Sequence, residues 1–196
     1  MRVTQFEEIR KEFGQWLKEA QEKELEYAEA MSLATASKSG MPSVRIVLLK
    51  ALDDRGFVFY TNLTSRKGLE LAENPNAALC FHWKSLNKQI RVEGSISAVA
   101  DDEADEYFES RPRASRIGAW ASKQSQPMKD RFEFEKRIAK YTTKFKFGYV
   151  PRPDFWSGYR LKPNRIEFWH EKTFRLHDRN IYFADGDAWR KEQIYP

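Results

Sequence analysis

The stretch 43–67, SVRIVLLKALDDRGFVFYTNLTSRK, constrains this chain more than any other. It sets two β-rich runs, a turn and a helix start in succession. An apolar run at 44–49 precedes Asp53-Asp54-Arg55-Gly56, a turn signal, and a second run follows at 57–61, so a hairpin is expected. Residues 62–65 then offer several helix N-caps, and Leu69, Leu71 and Ala72 continue at helical spacing. Arg66 and Lys67 fall in the first turn of that helix. A helix start carries unpaired N–H groups and a partial positive charge, which favour acidic residues. Two cations there are either solvated surface side chains, at a cost of about a few tenths of a kcal/mol, or part of an anion site of the phosphate type.

The rest of the chain supplies a sheet and further helices. Thr4-Gln5-Phe6-Glu7 fits a capping box, and Phe6, Ile9, Phe13, Trp16, Leu17 and Ala20 recur at helical spacing, so an amphipathic helix is expected over about 5–28. A short strand at 31–37 and a turn at 38–42 start the sheet. Arg45 and Lys50, five apart, point to opposite faces of an unbulged strand. Residues 77–83 form a buried strand in which Cys80 is a core residue. From 89 to 96, Ile90, Val92 and Ile96 alternate with Gln89, Arg91, Glu93 and Ser95, which gives one apolar and one polar face.

Asp101-Asp102-Glu103 gives the next helix the acidic start that Arg66 and Lys67 deny the earlier one. Tyr107, Arg111 and Ser115 follow at i, i+4 and i+8, although Pro112 must break or restart the helix between them. A polar loop at 122–127 leads to a helix over 129–147 with Phe132, Ile138, Ala139 and Phe145 as its core stripe, and a proline-rich connector spans 149–155. In 173–179, read as a strand, Phe174 and Leu176 share one face while Arg175, His177 and Arg179 share the other, either facing solvent or lining an anion site. Asp185-Gly186-Asp187 closes a last hairpin.

At 196 residues the chain needs only one domain, 1–196, with the helix first and a barrel from about 31 onward. Its net charge of +5 comes from interspersed residues, which argues against a nucleic-acid tail. A single cysteine, no apolar run of membrane-spanning length and no signal segment lead to an expected cytoplasmic protein without membrane contact. No P-loop, G-x-G-x-x-G or G-x-S-x-G motif occurs, and His82, His170 and His177 lack metal-ligand spacing, so no metal is expected.

Several runs together carry a specific likeness. Arg45-Ile46-Val47-Leu48-Leu49-Lys50, Phe59-Tyr60-Thr61-Asn62 with Ser65-Arg66-Lys67, and Ser110-Arg111-Pro112-Arg113 come first. Ile117-Gly118-Ala119-Trp120 with Ser122-Lys123-Gln124-Ser125, Phe155-Trp156-Ser157-Gly158, Ile166-Glu167-Phe168-Trp169 and Arg175-Leu176-His177-Asp178-Arg179 follow in order. With these the chain resembles the pyridoxamine 5′-phosphate oxidase family over nearly its whole length.

The resemblance implies an FMN-binding split β-barrel, mainly β with flanking helices (α+β) and mostly antiparallel, acting as a homodimer with FMN at the interface. It assigns Arg45, Ile46, Val47, Leu48, Leu49, Lys50, Tyr60, Thr61, Arg66, Lys67, Gln89, Gln124, Ser125, Trp169 and Arg179 to the flavin. Lys50, Tyr107, Arg111 and Ser115 would take the substrate phosphate, and Arg175 and His177 would cover the pyridine ring as catalytic residues. The implied reaction is hydride transfer from C4′ of pyridoxamine or pyridoxine 5′-phosphate to FMN, with O2 as electron acceptor giving peroxide. Two departures stand out: no arm bearing an Arg and a Tyr is expected ahead of the first helix, and Gln193-Ile194-Tyr195-Pro196 replaces the familiar Arg-Leu-x-Pro ending. Two other readings compete: a related FMN oxidase of the phenazine-biosynthesis type, which does not need Lys50, Tyr107, Arg111 and Ser115 as a set, and a nucleic-acid-binding β-barrel, which would bind with steep salt dependence.

Overall fold

The computed structural model describes residues 2–24 and 26–196, with side chains from Gln5 onward. Helix α1 (Phe6–Lys23) buries Ile9, Phe13 and Ala20. The Phe13 ring lies edge-on to Phe57 at 5.2 Å and to Phe81 at 5.1 Å, which anchors the helix on the sheet. The helix stops short of residue 28 because Glu24 takes an extended backbone. Gln5 is the N-cap without a side-chain bond, and Glu7 pairs with Lys11 at 2.7 Å, while the expected capping box depends on Thr4. The side chain of Thr4 lies outside the described residues.

The strands are β1 (Arg2–Thr4), β2 (Ala30–Ala36), β3 (Pro42–Leu48), β4 (Ala51–Asp53), β5 (Gly56–Asn62), β6 (Asn76–Trp83), β7 (Lys88–Ala98), β8 (Trp156–His170), β9 (Asp178–Asp185) and β10 (Ala188–Gln193). They form one antiparallel sheet in the order β1-β10-β9-β8-β7-β6-β2-β3, with β5 paired to both β4 and β8. The long β8 changes partner along its length: Trp156 to Leu161 pair with β5, Arg165 to His170 pair with β9, and β7 runs along its other side. The register between β7 and β8 slips at Glu93/Gly94, where a Cβ on Gly94 would lie 2.1 Å from the Lys162 carbonyl oxygen. A bulge of this kind bends the strand and curls the sheet around its core. Leu33, Phe59, Phe81, Ile90, Val92 and Leu161 are fully buried there.

The helices that flank the sheet are α2 (Arg66–Glu73), α3 (Asp101–Ser110), α4 (Arg113–Ala121) and α5 (Phe132–Lys144). None of the described helices is long and apolar enough to cross a membrane.

Three local expectations are corrected. The hairpin across Asp53 to Gly56 is made by β4 and β5, while β3 pairs instead with β2, Arg45 standing opposite Leu33. The apolar run breaks at Lys50, whose N–H donates to the Val58 carbonyl at 2.8 Å and carries the chain over to β5. Residues 173–179 are no continuous strand: Thr173 to Arg175 form a 3-10 turn, with Phe174 and Arg175 at φ of 57° and 61°. Two successive left-handed residues cannot extend a strand, so β9 begins only at Asp178 and Arg175, His177 and Arg179 share no strand face. Finally, α5 has no buried residue, and Phe132 and Ala139 face outward. Its contacts are with α4, where buried Phe145 joins Ile117 and Val150 in a small cluster apart from the main core.

Candidate active site

Ser65 caps α2, its hydroxyl accepting from the Gly68 N–H at 3.4 Å, and this places Arg66 and Lys67 in the first turn with no acidic residue beside them. Gly68 is required at this point, because a Cβ there would lie 2.2 Å from the Leu63 carbonyl oxygen. Lys67 is only 8% exposed. Its Nζ reaches Gln124 Oε1 at 3.0 Å, Thr61 Oγ1 at 3.1 Å and Ser65 Oγ at 3.3 Å, all neutral acceptors. Burial, and then the nearby Arg45 charge, push the ammonium pKa down to about 8. A buried cation without a carboxylate is the environment an anion would complete.

Lys67, Thr61 and Gln124 line a cavity of about 560 Å³. Ile46, Val47 and Leu48 of β3 form another wall, and Lys50, Tyr60, Tyr107, Arg111 and Ser115 also face it. Here α3, the break at Pro112 and α4 bring Tyr107, Arg111 and Ser115 to one space, an alignment that their spacing alone left open because of the proline. Tyr60 stacks on Tyr107 at 3.9 Å and on Trp156 at 5.4 Å. Gly158 leaves room for this stack, since a Cβ would lie 2.7 Å from the Tyr60 ring. Burial raises the Tyr60 hydroxyl pKa to about 12, so it stays protonated. The Arg111 guanidinium lies over the Trp156 ring at 4.8 Å and forms no ion pair among the described residues. Its Nη1 is buried without a hydrogen-bond partner, and burial lowers its pKa.

The remaining expected residues stand elsewhere. Arg45 bonds Leu33 O, Thr35, Ser43 and Glu70, while Arg66 donates through Nε to Glu70 at 2.8 Å; neither lines the cavity. Leu49 is turned into the core. Ser125, at φ 68°, lines a smaller neighbouring cavity with Gln124. Gln89, Trp169 and Arg179 form a row across β7, β8 and β9, each directly opposite the next. His177 packs on Trp169 at 4.9 Å, and Arg175 is exposed in the preceding turn. Arg179 is held by Glu167 at 2.8 Å. None of this second group lines the 560 Å³ cavity.

Trp156, Phe134 and Asn62 line the cavity without having been expected there, and the carboxylates Glu70 and Glu167, also not expected, hold the arginines near the site. Glu70 carries a signal in its i+4 spacing from Arg66, and Trp156 lies within the run Phe155-Trp156-Ser157-Gly158. Phe134, on a helix read as packing inward, had none.

The curled antiparallel sheet with flanking helices and a cation-lined cleft is a split β-barrel. Similarity to known proteins narrows it further. Residues 17–145 match the profile described as "Pyridoxamine 5'-phosphate oxidase", and residues 156–196 match the "Pyridoxine 5'-phosphate oxidase C-terminal dimerisation region". The chain is 56% identical over 187 residues to a pyridoxine/pyridoxamine 5′-phosphate oxidase of Rhizobium meliloti (strain 1021), covering 94% of this chain and 90% of that one. The crystal structure of PhzG from Burkholderia lata 383 in complex with tetrahydrophenazine-1-carboxylic acid superposes with TM-score 0.88 at 33% identity, covering 94% of this chain and 90% of that one. A pyridoxamine 5′-phosphate oxidase-related, FMN-binding protein from Nostoc punctiforme shares the fold with TM-score 0.77 at 20% identity, covering 95% and 96% respectively. The chain belongs to the pyridoxamine 5′-phosphate oxidase family, an FMN-dependent oxidoreductase family.

Proposed function

We propose that the chain oxidises pyridoxamine 5′-phosphate and pyridoxine 5′-phosphate to pyridoxal 5′-phosphate, with O2 as the final acceptor and H2O2 as the second product. The observation that carries this reading is that Lys67 and Arg111, neither with a carboxylate partner among the described residues, line one cavity from different elements. Two such cations suit two phosphates, one of the cofactor and one of the substrate. The donor set fits FMN, since the buried Lys67 ammonium has only neutral partners and the α2 N-terminus adjoins it.

Lys67, Thr61, Gln124 and Ser125, with Arg45 and Arg66 behind them, would hold the FMN phosphate, and Tyr60 and the β3 backbone would flank the flavin. FMN supplies the two-electron acceptor when bound. Lys50, Tyr107, Arg111 and Ser115 would bind the substrate phosphate and thereby fix where C4′ stands, a contribution of orientation and charge. Arg111 suits this role because aromatic faces hold it while its charge stays unneutralised. Arg175 and His177 would close over the pyridine ring.

The Gln89–Trp169–Arg179 row stands outside the lining of the cavity, and residues 156–196 match a dimerisation region. We infer a homodimer in which the row of one protomer completes the flavin site of the other. A second reading, oxidation of a phenazine-type substrate, draws on the structural likeness to the Burkholderia protein. Steady-state oxidation of pyridoxamine 5′-phosphate against pyridoxamine separates them: kcat/KM should fall at least about 100-fold without the phosphate. Equal values for the two amines would overturn the assignment.

A further inference from the structure

We propose that Glu70 is a positioning residue for the phosphate end of the FMN site, one carboxylate that sets both Arg45 and Arg66. The proposal rests on the flavin reading above. Glu70 is 7% exposed and sits one turn beyond Arg66 on α2. Its Oε1 accepts from Arg66 Nε at 2.8 Å. Its Oε2 accepts from Thr35 Oγ1 at 2.5 Å, Ser43 Oγ at 2.6 Å and Arg45 Nη2 at 3.1 Å. The same two hydroxyls accept from Arg45, so Arg45 reaches the carboxylate both directly and through Thr35 and Ser43.

This arrangement ties the first turn of α2 to β2 and β3. Arg66 spends its Nε on Glu70 while its terminal nitrogens bond none of the described residues, and its side chain is 62% exposed. The donors best suited to a phosphate are therefore left open on a guanidinium held through its Nε. Arg45, in contrast, has both terminal nitrogens engaged, and its charge acts on the neighbouring Lys67. Arg45, Arg66 and Lys67 against Glu70 leave two positive charges, a match for a phosphate monoester that carries about −1.5 to −2. Burial alone would raise the Glu70 pKa, but bonds from Ser43, Thr35, Arg66 and Arg45 hold it at about 2, so the clamp is charged at every working pH.

Positioning and plain electrostatics predict opposite signs. Removing a negative charge beside an anion site strengthens anion binding by Coulomb's law, whereas removing a clamp weakens it. The test titrates FMN and riboflavin, which lacks the phosphate, into the deflavinated full chain by fluorescence quenching. Wild type should prefer FMN by at least about 100-fold, and Glu70→Gln should cut that ratio by about tenfold or more with riboflavin affinity held within about twofold. Glu70→Asp keeps the charge but withdraws it by one methylene, so it should also lower the ratio. Should either variant fail to fold by thermal melt, Ser43→Ala removes one link between Arg45 and Glu70 and should lower the ratio by a smaller factor. An unchanged or increased ratio in these variants, with wild-type preference intact, overturns the role of Glu70 alone. No FMN preference in wild type overturns the phosphate site itself and the clamp with it.

Discussion

Tyr60 and Tyr107 stack with ring centroids 3.9 Å apart and planes 15° from parallel, although one sits on β5 beside Thr61 and the other on α3 one turn before Arg111. The proposed flavin and substrate subsites thus share a wall, and Trp156 extends it at 5.4 Å from Tyr60. Such a stack contributes about 0.5–1.5 kcal/mol beyond area burial. Tyr107→Phe should keep flavin affinity and raise KM for the phosphorylated amine. Tyr107→Leu should weaken both, flavin by about 3- to 10-fold. Flavin affinity unchanged in Tyr107→Leu would show that the two subsites are independent.

With Lys67 at the proposed phosphate site, flavin binding should depend on pH. Its folded pKa of about 8 lies below the ordinary 10.5, so between these values the unfolded chain binds more protons and the flavin-free protein gains stability as pH rises. Below about 8 Lys67 is charged in both states, and the full cost of burying that charge is present. A phosphate needs the ammonium, so FMN affinity should fall as pH rises through about 8, in opposition to the stability trend. Titration of FMN from pH 7 to about 10 checks this. Lys67→Met should bind FMN weakly at every pH, and a wild-type affinity flat across the range would remove Lys67 from the phosphate site.

Glu167, 1% exposed, accepts from Arg91, Arg165 and Arg179 on three neighbouring strands. Glu167→Gln leaves those cations without their common counter-charge and should cost about 3 kcal/mol, read as a lower midpoint in denaturant. It should also loosen flavin through Arg179. A variant as stable as wild type would mean that the three arginines find solvent without loss.

Most strands could be read from alternation because neighbours along a strand determine it. Ile90, Val92 and Ile96 face the core as their period demands. The helix start at Arg66 was legible because Ser65 caps it by local chemistry. What failed was decided at a distance or by backbone handedness. Phe174-Arg175-Leu176-His177 alternates like a strand, yet its two left-handed residues turn the chain, and Phe174 ends 92% exposed. The partner of β3 is β2 and not β5, a choice set by the break at Lys50 that no periodicity records. Phe134 reaches the cavity from a helix with no buried residue, a placement set by how α5 lies on α4 and not by any pattern along the sequence.

Arg175, His177 and Arg179 lie close in sequence but are given different tasks. Arg175→Ala and His177→Ala should retain FMN and lose about 100-fold in kcat/KM for pyridoxamine 5′-phosphate, the scale of a reacting atom misplaced by about 1 Å. Arg179→Ala should release flavin instead. Flavin content and steady-state rates on the three variants decide it, and wild-type rates in both of the first two would place the substrate elsewhere.

In the proposed reaction this cavity brings a phosphorylated pyridine amine against FMN. Mixing the flavin-loaded protein anaerobically with pyridoxamine 5′-phosphate tests it most directly. The oxidised flavin's visible absorption should be lost with one equivalent of pyridoxal 5′-phosphate formed per flavin, and should return with peroxide on admission of air. A flavin spectrum that does not bleach with this amine would contradict it.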